Sequence, residues 1–397
     1  MCLCCCTVNA GRGCWSLKYK WSFLKGKMCL DNAFISAEQP QKYCLTAVTS
    51  EVSPFRFNRQ RDPAVERHID ELWTERVSRE PWLFNGAKFR LHSFCFAPPK
   101  HPPSTRSSHI PLLNCAEDQV GQTNSRSVLE DVLQQTHGKL FQDSSACCCT
   151  DISPDIHSRS GPLLTLRLGL TCYKDYLGTN WSSQVAELRR RGEAEFSDPL
   201  ALLAQPLGVG AVLRTADGRV VLIRRSQKVA EAGGLLDIPG GHPEPKVVCE
   251  RLGQAVCEEN INVEMMQQKL EVVVSELFSS VCAEIRDEVN VPLSSLGEPV
   301  LMGVGLNHTS AGRPSAEFYV SCSLTSDEVR KLYWKGGPEA HESTDVIFLS
   351  RTELLQLDSS SPLWSELCPS AKGAVILYQT VKPDGGTEKT TPQNGPT

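Results

Sequence analysis

The chain has 397 residues, 40% of them hydrophobic and 22% charged, with a formal net charge of −5. That length and apolar share suffice for one large or two ordinary domains with real cores, and they exclude a chain disordered throughout. The acidic balance excludes a general attraction to nucleic acid or to anionic membrane, which needs a basic surface, while leaving room for a small anionic ligand in a local site.

No run approaches the roughly 18 apolar residues of a membrane span, and the N-terminal residues lack an apolar core followed by small residues. The expectation is an intracellular chain, cytoplasmic or nuclear, with no membrane and no nucleic-acid partner; a monomer is compatible with it. The 18 cysteines gather at Cys2, Cys4, Cys5, Cys6 and Cys14 and again at Cys147, Cys148 and Cys149. No CxxC pair faces a second pair at zinc-finger spacing, and no glycine follows Met1, so reduced thiols in unstructured extensions are expected there. Cys172, Cys282 and Cys322 stand singly, as small buried hydrophobes do.

Residues 1–62 show no sustained periodicity and read as a disordered leader. Order is expected from 63–77, where Val65, Ile69, Leu72, Trp73 and Val77 recur at helical spacing behind an Asp62-Pro63 start signal. Residues 88–94 then alternate as a strand. Residues 98–160 turn Pro/Ser/Thr-rich and carry the cysteine triplet, the composition of a disordered insertion. A strand at 163–170, a helix at 182–191 and a short helix near 199–204 close a first domain spanning 63–204.

The second domain, 205–381, opens with strands at 209–213 and 220–225, a hairpin around Ala216-Asp217-Gly218. A strand at 235–238 ends in Pro239-Gly240-Gly241, and a helix runs over 272–289. Strands follow near 300–304 and 317–322, then a helix at Ser326–Tyr333, a strand at 346–349 and a last helix at 370–378. Residues 382–397 read as a disordered tail. Hairpins mixed with helices, and no GxGxxG opening a helix, predict an α/β (α+β) sandwich with a mixed sheet and a smaller α/β domain before it, not a doubly wound sheet.

On the helix at 272–289, Val274, Leu277, Phe278, Val281, Cys282, Ile285 and Val289 fill one arc. Glu284 and Asp287 border that arc and Glu288 falls inside it. A carboxylate at a buried edge costs on the order of several kcal/mol unless something positive meets it. Arg286, the nearest basic residue on the helix, points to nearly the opposite side. Glu284 and Glu288, at i and i+4, put their oxygens on neighbouring turns where one hard divalent ion could be shared. Upstream, Leu236-Asp237-Ile238-Pro239-Gly240-Gly241-His242-Pro243-Glu244 is a strand running into a rigid turn whose paired glycines let backbone N–H groups approach an anion.

Strand, Pro-Gly-Gly loop and acidic helix together resemble the Nudix hydrolases, whose motif runs from a glycine through a Glu to Arg-Glu-apolar-x-Glu-Glu-x-Gly-apolar. The second half here reads Ala283-Glu284-Ile285-Arg286-Asp287-Glu288-Val289-Asn290-Val291. Ala283 stands where the family has Arg, Asp287 where it has Glu, and Asn290 where it has the helix-ending Gly, a mild change because Asn tolerates the left-handed conformation. Gly241 and Glu284 are 43 positions apart, far beyond the family's spacing, and Glu276 lies near the place of the motif's middle Glu. The stretches 84–93, 177–183, 239–245, 276–280 and 337–344 are similar to an atypical animal branch of the family that acts on UDP-sugars and carries an N-terminal domain of its own.

That resemblance implies a Nudix α/β/α sandwich at 205–381 and a substrate-recognition domain at 63–204. It also implies Mg²⁺-dependent hydrolysis of UDP-glucose and UDP-galactose to UMP and the sugar 1-phosphate. Glu284 and Glu288 would hold the metal, with Asp287 as a third catalytic carboxylate. Arg225 could fork onto a phosphate. Ala230 could present backbone to the ligand, and Asp237, His242 and Glu244 could bond sugar hydroxyls or phosphate. Phe84 and Tyr173 are candidate platforms for uracil. The general base stays open among Glu339, Glu342 and Glu317. The rival expectations are a Nudix hydrolase of another nucleoside diphosphate and a non-catalytic nucleotide-binding module.

Overall fold

The computed structural model describes residues 48–97, 163–229 and 231–385. The cysteine clusters at 2–14 and 147–149, the insertion expected at 98–160 and most of the expected tail lie outside the described residues. The first elements are β1 (Val48–Val52), α1 (Pro54–Phe57), α2 (Pro63–Arg79), β2 (Ala87–Ala97), β3 (Leu163–Cys172), α3 (Tyr173–Gly178) and α4 (Val185–Phe196). Then come β4 (Gly208–Arg214), β5 (Arg219–Arg225), β6 (Leu236–Asp237), β7 (Gly240–Gly241), α5 (Pro245–Arg251) and α6 (Leu270–Val289). The chain continues through β8 (Val300–Asn307), β9 (Arg313–Ser321), α7 (Ser326–Tyr333), β10 (Ser343–Ser350), α8 (Arg351–Gln356), α9 (Pro362–Glu366) and α10 (Pro369–Val381).

Strand alternation explains the layers. Val221 and Ile223 of β5 face one side of the sheet, Val220 and Leu222 the other, as the pleat requires. The first pair shares a core with Val281, Ile285 and Val289 of α6 and Val329 of α7; the second packs with Leu354 of α8 and Ala374, Leu377 and Tyr378 of α10. Both faces being covered, β4 and β5 read as near-continuous apolar runs. The sheet has the order β10-β5-β4-β9-β8, with β6 on β5 and β7 on β4. β4 and β9 are parallel and β8 and β10 pair antiparallel with their neighbours, so the sheet is mixed, as expected.

A second sheet, β1-β3-β2, presents Leu164, Leu166 and Leu168 of β3 and Phe89 and Leu91 of β2 to the same core as α6. Its edge corrects the expected leader, which contributes a strand at Val48–Val52: β1 pairs in parallel with β3 from Val48↔Leu164 to Val52↔Leu168. A five-residue strand whose partner lies so far along the chain leaves no local periodicity to read. The short helix expected near 199–204 is a pair of turns. There the buried Arg90 guanidinium donates to the carbonyls of Leu200 (2.8 Å), Leu203 (3.1 Å) and Phe57 (2.9 Å), a pull on these carbonyls that competes with a helical ladder. At the other end, Asp384 lies within the expected tail, yet it accepts hydrogen bonds from Tyr378 Oη (2.6 Å) and Arg351 Nε (3.0 Å).

The long spacer between glycine loop and helix is built into the core. It forms α5 and two 3₁₀ turns, Glu258–Asn260 and Val263–Met265. Val248, Cys249 and Met266 are buried in the main cluster. Glu258 accepts the Ala87 N–H at 2.8 Å, and Ser50 Oγ donates to the Leu270 carbonyl at 3.4 Å, so the spacer joins the second sheet to α6.

Candidate active site

The glycine loop and α6 meet through a ladder between backbone donors and helix carboxylates. Gly240 N–H donates to Glu288 Oε2 (2.8 Å), His242 N–H to Glu284 Oε1 (3.1 Å) and Glu244 N–H to Glu276 Oε1 (3.2 Å). Two residues of extended chain and four residues of helix both advance about 6 to 7 Å, so the N–H groups of Gly240 and His242 match Glu288 and Glu284 one turn apart, while Glu276, two turns before Glu284, reaches to the Glu244 N–H. Gly241 lets the two approach: a Cβ there would lie 2.0 Å from Glu284 Oε1. The helix ends at Asn290, left-handed at φ 62°, whose side chain donates to the Leu332 carbonyl at 2.8 Å. Asn thus fills the place of the family's glycine and adds an anchor.

Burial, then the neighbouring Glu284, raises the Glu288 carboxyl well above its ordinary range. Burial followed by Glu339 pushes Glu284 up to about 7. Each therefore carries a proton more readily than an exposed carboxylate, unless a cation takes the proton's place. Among the described residues, no hydrogen bond engages the second oxygen of either group, and two adjacent hard oxygen donors suit a divalent cation. No cluster of three or more His, Cys, Asp or Glu side chains among the described residues is arranged to hold a metal ion. Asp287 does not complete one, because Arg286 takes both its oxygens at 2.7 and 2.6 Å. Further ligands for such a cation would come from substrate oxygens and water. Glu276 is committed elsewhere, to Arg251 at 3.0 Å.

The loop after α7 docks on the end of α6. Gly337 lies so close that a Cβ would meet the Asp287 carbonyl oxygen at 2.5 Å, and Glu339 N–H donates to that oxygen at 3.0 Å. This places Glu339 where its charge acts on Glu284; burial, then Glu342, raises its own carboxyl. Glu342 is held by Ser226 N–H on its carbonyl at 2.7 Å and lines the cleft.

In front of the glycine loop lies a cleft of about 430 Å³ with Gly208 and Gly210 of β4 in its wall. Arg225, Asp237 and His242, three of the candidate substrate-binding residues, line it, as does Glu342, a candidate general base. Arg225 Nη1 donates to Asp237 Oδ2 (3.0 Å) and Nε to the Glu231 carbonyl (3.1 Å). Burial opposes the Arg225 charge, but Asp237 beside it raises the guanidinium further. Burial, with Lys88 and Arg313 nearby, keeps His242 well below its usual range, and its Nε2 accepts from Arg313 Nη1 at 3.3 Å. Glu244 is outside the lining, with Lys88 Nζ 3.6 Å from its carboxylate.

Neither aromatic candidate lines the cleft. Phe84 is 65% exposed on the loop before β2. Tyr173 packs edge-on to Trp73 and against Tyr176. The aromatic that does line it is Trp181, stacked on Tyr176 at 6.0 Å. Glu317 lies against the cleft's glycine wall, 1% exposed, with Oε2 2.6 Å from where a Gly210 Cβ would stand. Ala230 lies outside the described residues. Sequence reasoning missed Arg313, Glu231 and Trp181. Only Trp181 carried a signal, standing within the stretch 177–183; Arg313 reaches the cleft because β9 runs parallel to β4, and Glu231, in the loop after β5, is held there by Tyr176 and Ser310 from distant segments, placements no local pattern reveals.

No family model matches the chain. It is similar to the uridine diphosphate glucose pyrophosphatase NUDT22 of Homo sapiens, 44% identical over 335 residues that cover 84% of this chain and 88% of that protein. The protein of the same name from Bos taurus is 43% identical over 335 residues, 84% of this chain and 92% of that one. Nudix hydrolase 9 of Arabidopsis thaliana is 30% identical over 308 residues, 77% of this chain and 78% of that one.

Proposed function

The chain belongs to the Nudix hydrolases, in the group of uridine diphosphate glucose pyrophosphatases, and from that membership we propose that it hydrolyses the diphosphate bond of UDP-glucose and UDP-galactose to UMP and the hexose 1-phosphate. The observation that carries this reading is the pinning of Glu284 and Glu288 by the N–H groups of His242 and Gly240, behind the loop that lines the cleft. Held by these two carboxylates, Mg²⁺ would supply positive charge to the diphosphate oxygens as negative charge builds in the transition state.

The chain's own residues divide the remaining work. Asp237 and the Glu231 carbonyl hold Arg225 in one orientation at the cleft wall, so little is lost in ordering it when a phosphate arrives. Trp181 offers an aromatic face for the uracil, and Asn307 and Thr309 offer polar groups for its edge. Of the three candidate bases we assign the proton of an attacking water to Glu339, which is held on the α6 end, acts on Glu284 and is raised by burial.

A panel of UDP-glucose, UDP-galactose, ADP-ribose, coenzyme A and a capped dinucleotide, each with Mg²⁺, tests the substrate class. UMP and hexose 1-phosphate are expected from the UDP-sugars, with the other compounds hydrolysed about tenfold or more slowly. Faster hydrolysis of another member overturns the substrate assignment. Binding of UDP without turnover of any compound supports the non-catalytic reading, which Ala283 in the motif's Arg position motivates.

A further inference from the structure

Two guanidinium groups line the cleft, Arg225 and Arg313, and they differ in how far they are engaged. Arg225 is bonded at 3.0 and 3.1 Å within its own hairpin and loop. Arg313 has longer contacts: Nη2 lies 3.4 Å from Glu231 Oε2 and Nη1 3.3 Å from His242 Nε2. Its Nε is buried with no hydrogen-bond partner among the described residues, and its Cζ stands 5.7 Å over the Tyr176 ring. A half-buried cation with five donors, one of them buried without a partner, is in deficit of an anion.

Position says which anion. Arg313 opens β9 opposite Asn307 of β8, and Ser315, on the same face of β9, pairs with Gly208 of β4; all four line the cleft. The His242 ring that Arg313 touches belongs to the residue whose N–H holds Glu284. An anion entering the cleft toward the glycine loop therefore comes within reach of Arg313. Glu231 sits on its other side, its Oε1 taken by Ser310 Oγ at 3.1 Å and by Tyr176 Oη, so that carboxylate is held in place and the arginine is the mobile partner.

We propose that Arg313 grips the diphosphate of the bound nucleotide alongside the pre-ordered Arg225, exchanging its long contacts to Glu231 and His242 for a forked pair of bonds to phosphate oxygens. The assignment rests on the nucleotide-diphosphate reading of this cleft and deepens it. Tyr176 then serves as the platform beneath the guanidinium, and Arg225 as a fixed neighbour.

The test measures UDP and uridine binding to the full chain by calorimetry in the presence of EDTA, and UDP-glucose turnover with Mg²⁺, for wild type, Arg313→Gln and Arg313→Lys. Arg313→Gln is expected to weaken UDP binding and raise KM about tenfold or more while uridine binding stays within twofold and kcat falls less than KM rises. Arg313→Lys, which keeps charge and bulk and guards against a misfolded Gln variant, is expected to lose about three- to tenfold for UDP and nothing for uridine. UDP affinity within twofold of wild type in either folded variant overturns the assignment, as does equal loss of uridine and UDP. A wild type that binds UDP through Arg313 but releases no UMP would sink the hydrolase reading and leave the arginine's role standing.

Discussion

Glu317 and Glu288 show how differently two buried carboxylates can be read. Glu288 was legible in the sequence because it interrupts an apolar helical arc, where a charge without a local cation needs an external one. Glu317 was legible only as one rival for the general base, since alternation on a strand does not say which face lies under a cleft. In the structure its Oε2 has no partner among the described residues, and burial, against a Ser315 hydrogen bond, pushes its carboxyl up to about 8. The folded value lies above the ordinary 4.5, so between those pH values the native state holds a proton the unfolded chain has released. Stability from this group is complete below the ordinary carboxylate range and is lost as pH rises through about 8. Glu317→Gln should therefore match wild type near pH 5 and exceed it near pH 9, by on the order of a few kcal/mol in urea unfolding. Equal stabilities at pH 9 would show that the carboxyl is not held protonated. Arg313 and Glu231 stayed invisible for the same reason as the face of Glu317: their neighbours come from distant parts of the chain, not from their own segment.

At the scale of elements, α6 and the loop before it were legible because each carries its own signature, an apolar arc with acidic borders and a Pro-Gly-Gly turn. Boundaries shifted by the tertiary context: α6 begins at Leu270 instead of 272, and β9 begins at Arg313 instead of 317. The early start of β9 matters, since it brings Arg313 onto the sheet. The register between loop and helix could not be read, because the long spacer hides how far apart in space Gly241 and Glu284 lie. The structure closes that gap, with Gly241 against the Glu284 carboxylate. Gly241→Ala should push Glu284 away from the His242 N–H and lower kcat by about a hundredfold, with the Mg²⁺ requirement moved to higher concentration. A variant with wild-type kcat and wild-type Mg²⁺ dependence would contradict this account of the loop. The missing helix at 199–204 is the complementary lesson: local propensity yielded to Arg90, a residue from another strand.

For the whole molecule, the mixed sheet between helical layers was foreseeable from hairpins alternating with helices. The joining of a second sheet to the same core was not. Leu164, Leu166 and Leu168 read as a strand, but nothing local says that they pack over α6, or that the spacer at 245–269 fills the space between. That arrangement brings Trp181 from the first half of the chain to the same cleft as the glycine loop of the second. No helix among the described residues is long and apolar enough to cross a membrane. The central claim is that Glu284 and Glu288 serve metal-dependent cleavage of a UDP-sugar. Its most direct test is product analysis after incubating UDP-glucose and Mg²⁺ with wild type and with Glu288→Gln, folding checked by thermal melting and UDP binding. The account predicts UMP and glucose 1-phosphate from wild type, none in EDTA, and turnover lower by on the order of a hundredfold or more in the variant, with UDP still bound. Wild-type turnover by Glu288→Gln, or undiminished product in EDTA, would contradict it.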